Sequence, residues 1–124
     1  MALAVRKNKS KPVPNACPIN ESMSLLGGAW TPNVIWNLSG GARRFSELQI
    51  DIPDISSKVL TQRLRTLEKK GIVDRTVLPT SPPSVEYALT DLGQELVPVI
   101  ETIVRVGHKL WERSAKQAEQ DAAE

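Results

Sequence analysis

The residues whose types and spacing could do chemistry fall in two places. The first is Cys17, which directly precedes Pro18 and follows a stretch holding Arg6, Lys7, Lys9 and Lys11. A thiol at a helix N-terminus has its thiolate stabilised by the backbone dipole, and neighbouring cations act in the same direction. Such a sulfur can react with oxidants and electrophiles; the alternative is a small, inert apolar residue. The second place is the run from Ser56 to Gly71. There Lys58, Thr61, Gln62, Arg65 and Lys69 share one side of a helix, and Leu60, Leu64 and Leu67 share the other. Cations suit phosphates, while amide and guanidinium groups suit base edges, with Arg65 matched to guanine. A solvated helix face is the competing reading.

The elements that must position these groups are punctuated clearly. Cys17-Pro18 opens a first helix with Ile19, Met23 and Leu26 on one stripe, stopped by Gly27-Gly28. Thr31, followed by Pro32, caps a second, whose buried face is Val34, Ile35 and Leu38, with Trp30 and Trp36 in the core or at its rim. A third helix starts at Ser46: Ser46 and Gln49 have capping-box spacing, and Phe45 and Ile50 sit where a hydrophobic staple would close. Pro53 ends it, and Ser56 caps the helix with two unlike faces. So short a link makes a helix-turn-helix.

Gly71 closes that helix, and two strands follow, Ile72 to Leu78 and Val85 to Leu89, with Val85, Tyr87 and Leu89 alternating toward the core. Thr90 caps a long last helix with two apolar rows. One is Leu92, Leu96, Val99, Ile103, Val106 and Leu110; the other is Val97, Ile100, Val104, Gly107 and Trp111. A small core covers one row, so the second is expected to pair with its own copy, making Val97, Ile100, Val104 and Trp111 dimer-interface candidates. Pro98 is expected to bend this helix, and residues after Glu112 to fray. The predicted fold is α+β: a mainly helical winged helix-turn-helix with a two-stranded β wing and a long C-terminal dimerisation helix.

Composition is consistent with this. The 124 residues suffice for one domain, divided here into a flexible basic arm (1–16), a folded unit (17–111) and a polar tail (112–124). With 16 Lys+Arg against 14 Asp+Glu the net charge is +2, which neither requires nor excludes a nucleic-acid partner. One cysteine cannot make an internal disulfide, and neither a secretory signal nor a membrane-length apolar run is evident, so a cytoplasmic protein is expected. No Cys/His cluster, glycine-rich phosphate loop or nucleophile–base pair is legible, and the sole histidine, His108, reads as structural. Neither an enzyme nor a cofactor is expected.

CPINESMSLLGGAW, RRFSEL, ISSKVLTQRLRTLEKKGIVDR, the Pro82-Pro83 pair, VEYALTDLG and the proline-containing helix after it occur in an order that resembles the HxlR-type bacterial transcriptional regulators, relatives of the MarR group. The resemblance spans about Cys17 to Trp111. It implies a homodimer that binds palindromic double-stranded DNA as a repressor or activator. It also puts DNA contacts on Arg43, Arg44, Ser46, Ser56, Ser57, Lys58, Thr61, Gln62 and Arg65; the helix face alone selects Lys58, Thr61, Gln62 and Arg65. Many relatives carry a cation beside the wing prolines, whereas Ser81 and Ser84 stand here, which leaves Arg75 as the nearest positive charge. Cys17 occupies the place of a cysteine that some members use to sense quinones, other electrophiles or disulfide stress. A small ligand in the dimer crevice, near Trp30, Trp36 or Trp111, is the alternative switch, and a protein-docking winged helix that does not touch DNA is the alternative function.

Overall fold

The computed structural model describes residues 7, 9–11 and 18–123. Most of the expected N-terminal arm, and Cys17 itself, lie outside the described residues. Five helices and three strands follow in the order α1 (Ile19–Leu26), α2 (Thr31–Leu38), β1 (Arg43–Arg44), α3 (Phe45–Asp51), α4 (Ser57–Lys69), β2 (Val73–Leu78), β3 (Ser84–Leu89) and α5 (Asp91–Ala123). No helix among the described residues is long and apolar enough to cross a membrane.

The core gathers one stripe from each helix. Val34, Ile35 and Leu38 of α2, Leu48 of α3 and Leu60, Leu64 and Leu67 of α4 are all buried, closed from the sheet side by Val73 and Tyr87 and from α5 by Ile100. Val85 and Leu89 pack on this core beside Tyr87, as the alternation in β3 requires. Trp30 is partly buried against the core, and Trp36 is more exposed, at its rim.

The sheet has three strands, not the two expected. Arg43 pairs with Tyr87 and Arg44 with Glu86, so β1 adds to the free edge of β3 and the order is β1-β3-β2. Two residues carry no readable alternation, which is why the sequence does not announce this strand.

Two helix starts also differ from expectation. Thr31 is the first residue of α2 and is buried, while Trp30 is the N-cap in a left-handed conformation, φ 69°. α3 begins one residue early, with Arg44 at the N-cap and its backbone N–H donating to Glu47 Oε1 at 2.7 Å. Glu47 thus supplies the reciprocal bond expected of Gln49. Ile50 is 77% exposed, so no staple forms with Phe45. At the far end, α5 continues as helix to Ala123 across the expected fraying tail, without a break at Pro98.

The junction of α4, β2 and α5 is the most tightly stitched part of the chain. Gly71 takes φ 76°; its N–H donates to Glu68 O at 3.1 Å and the N–H of Ile72 to Leu67 O at 2.9 Å, the paired bonds of a Schellman C-cap. Thr90 Oγ1 donates to Gly71 O at 2.6 Å and accepts from the N–H of Gly93 at 3.1 Å, capping α5 as expected. A Cβ added at Gly93 would stand 2.3 Å from Ile72 O, so α5 meets the strand there backbone to backbone. Gly93→Ala is therefore expected to destabilise the chain by about 1–3 kcal/mol, read as a lower urea midpoint; an unchanged midpoint would show that the junction can open without cost.

Candidate nucleic-acid interface

α4 has its bottom fixed before its top can be used. Ser56 accepts the N–H of Val59 at 3.1 Å through Oγ, the cap expected of it, and Leu60, Leu64 and Leu67 face inward. With about 100° between successive residues, Lys58, Gln62 and Lys69 then point directly away from the core, and Arg65 stands at the edge of that outward face. Lys58, Gln62, Arg65 and Lys69 are all exposed. No backbone group needs them, so they are free to meet a groove.

The two flanks of α4 are occupied differently. On one, Arg63 Nε donates to Ala29 O at 2.6 Å, joining the helix to the elbow between α1 and α2. The head of Arg63 is thus committed to the protein's own backbone. On the other flank, Thr61 is half-buried and its hydroxyl donates to Ser57 O at 2.7 Å. Thr61 thus faces the sheet side, where it lines a cleft of about 330 Å³ with Arg65, Glu68, Arg75 and Tyr87.

The remaining candidates divide in the same way. Ser57 Oγ accepts a short hydrogen bond from Gln49 Nε2, which pins the start of α4 to α3. Ser46 is exposed in the first turn of α3 and Arg44 is exposed on β1. Arg43 is only half-exposed; its Nη1 donates to Ala42 O at 2.9 Å and its Nε lies 3.9 Å from Asp51 Oδ2. Arg43 thus already has partners, whereas Arg44, Lys58, Arg65 and Arg75 enter no ion pair recorded among the described residues. At the hairpin tip Thr80 Oγ1 donates to Pro82 O at 2.7 Å and lies 3.1 Å from Ser84 Oγ, a neutral, self-bonded loop.

Of the four interface candidates on α5, Ile100 is corrected. It is 2% exposed and belongs to the chain's own core, leaving no surface to share. Val97 is half-buried, Val104 is exposed, and Trp111 is 73% exposed with its ring edge-on to His108 at 5.5 Å. The row expected to lie on the core instead shows Leu92, Val99, Ile103, Val106 and Leu110 to solvent. Both rows are apolar and lie about 100° apart, one residue's rotation, so periodicity alone does not say which turns inward.

The model of the HxlR-like helix-turn-helix family matches residues 25–115. The chain belongs to that family. YdeP of Bacillus subtilis, an HTH-type transcriptional regulator, is 37% identical over 100 residues, covering 81% of this chain and 78% of its own. A MarR-family structure from Porphyromonas gingivalis superposes with a TM-score of 0.73 at 36% identity, over 80% of this chain and 97% of that one. The reduced form of the transcriptional regulator YodB from Bacillus subtilis is 41% identical with a TM-score of 0.66, over 72% and 88%; YodB has also been solved diamide-treated and quinone-bound. The HxlR chain is thus a MarR-like transcriptional regulator with a winged-helix fold.

Its Arg63 bond supplies a test of the geometry. Arg63→Ala should cost about 1–2 kcal/mol of stability, as loss of a charge-assisted hydrogen bond does, whereas Lys58→Ala should stay within about 0.5 kcal/mol. Chemical unfolding of the two variants measures the difference, and equal midpoints would mean that the Ala29 bond holds nothing.

Proposed function

We propose that this HxlR-type regulator represses transcription by binding a palindromic duplex-DNA operator as a homodimer, in the cytoplasm. The observation that carries the reading is the outward face of α4. Lys58, Gln62 and Arg65 stand free on a helix whose opposite side is core, with Arg44 and Arg75 on the adjoining sheet. Gln62 offers donor and acceptor together, the geometry that reads adenine, and Lys58 and Arg65 reach for base edges beside it; Arg44 and Arg75, with Ser46 and Ser56, hold phosphates and set register.

Dimerisation follows from α5. Beyond Ile100 the apolar side chains Ile103, Val104, Val106, Leu110 and Trp111 are exposed among the described residues, and a second copy is the partner with a matching surface. Two recognition helices on one face of the duplex then meet half-sites about 34–36 Å apart.

The switch is assigned to Cys17. The sequence puts it beside Pro18, the N-cap of α1, and the relative YodB has been solved with diamide and with quinone. With one cysteine per chain, an oxidant must join Cys17 to the other protomer's Cys17 or to an external thiol, whereas a quinone can add to the thiolate directly.

Binding should weaken with salt at a log–log slope of about −7 for about eight phosphate contacts. A flat response would favour protein docking over DNA. Gln62→Ala should cost about 1–3 kcal/mol on the operator and little on random duplex. Diamide or benzoquinone should release wild type but not Cys17→Ser, and release of both would remove Cys17 from the mechanism.

A further inference from the structure

The cleft between α4 and the sheet holds two guanidinium groups whose placement sequence position alone does not give. Arg75 lies directly opposite Tyr87, and Tyr87 opposite Arg43, so these three share one face of the sheet. That face carries Val73 into the core, two residues before Arg75. Arg75 therefore leaves β2 on the α4 side of the sheet and keeps its head in solvent. On α4, Thr61, Arg65 and Glu68 recur at i, i+4 and i+7 and line the same cleft of about 330 Å³.

The chemistry of this lining is selective. Thr61 has given its hydroxyl hydrogen to Ser57 O, which leaves the two arginines as the charged donors of the cleft, beside the neutral Tyr87. The ion pair recorded among the described residues is Arg43 with Asp51, so Glu68 lines the cleft without coming within 4.0 Å of either guanidinium. Two cations sharing one cleft repel each other, and an anion between them turns that repulsion into attraction. A phosphate offers several acceptor oxygens to the planar donor forks of arginine, and a carboxylate fixed nearby lowers its affinity without blocking it.

We infer that Arg65 and Arg75 clamp one and the same phosphodiester of the DNA backbone between the recognition helix and the sheet. Arg65 is then a phosphate ligand, and not the guanine reader that its place on the helix suggests; base reading falls to Lys58 and Gln62. The inference rests on the DNA-binding reading above and adds the coupling of the two arginines. Because the sheet fixes Arg75, the clamp sets how deeply α4 enters the groove.

The test is a double-mutant cycle by fluorescence anisotropy on the full chain, using an operator selected from a random-sequence duplex pool and a scrambled duplex of equal length. Arg65→Ala and Arg75→Ala should each weaken both duplexes by about the same factor, about tenfold for loss of a charged contact. The double variant should be little weaker than either single one. Its log–log salt slope should be shallower by about 0.9 per protomer, the loss of one phosphate, where two separate phosphates would give about 1.8. Glu68→Gln should tighten binding about threefold at low salt, where screening is least. Multiplicative losses, a slope change near the larger value, an Arg65→Ala loss confined to the operator, or unchanged or weaker binding by Glu68→Gln would each overturn the clamp. If wild type binds neither duplex, the DNA reading fails and the clamp with it, an outcome distinct from wild-type binding with independent arginines.

Discussion

Burial of Leu60, Leu64 and Leu67 is the constraint on which the rest of the molecule depends. These three side chains come from successive turns of one helix, and their insertion between α2 and the sheet fixes the rotation of α4 about its own axis. Full burial of one such side chain contributes about 1.5–3 kcal/mol, so rotating the stripe out of the core would cost more than a small domain can lose. Which polar groups face outward is a corollary of that insertion. Lys58 and Gln62 are on top because three leucines are underneath.

Rotation alone leaves α4 free to slide and tilt, and a second set of contacts removes those freedoms. Gln49 of α3 holds the first turn through Ser57, and the Schellman cap at Gly71 holds the last. Thr90 and the bare backbone of Gly93 then tie that last turn to α5. α4 is thus held at both ends as well as along its leucine stripe. A rigid reader suits recognition by fixed hydrogen-bond geometry, since each immobilised side chain costs less on binding if its backbone is already in place.

How much of this the sequence discloses depends on whether a feature repeats. The leucine stripe, the Ser56 cap, the closing Gly71, the β2–β3 hairpin and the start of α5 at Thr90 all follow from periodicity or from a local cap, and all stand where the residues put them. β1 has only two residues and owes its existence to an edge of β3 some forty positions away, so nothing local marks it. The start of α2 was masked by a threonine and proline that look like a cap, while the actual N-cap is a left-handed tryptophan, a conformation no propensity favours. On α5, Val97, Ile100 and Val104 lie about 100° round the helix from an equally apolar row, and only three-dimensional packing decides that Ile100 turns inward. Among the candidate contacts, type and spacing identify which side chains are polar and permit the bond of Thr61 to the carbonyl four residues back, but the partner of Arg43 on α3, like that of Arg63 on the elbow, comes from the tertiary fold.

The bond from Arg63 to Ala29 carries a mechanical consequence. Ala29 precedes Trp30, the one non-glycine residue with positive φ among the described residues, and such a conformation costs about 1–3 kcal/mol unless its surroundings hold it. One of the groups holding it is the guanidinium of α4, and the next carbonyl, that of Trp30, is taken by the N–H of Val34 at 3.0 Å. The elbow between α1 and α2 is therefore braced by α4, whose Arg63 holds the carbonyl just before the left-handed residue.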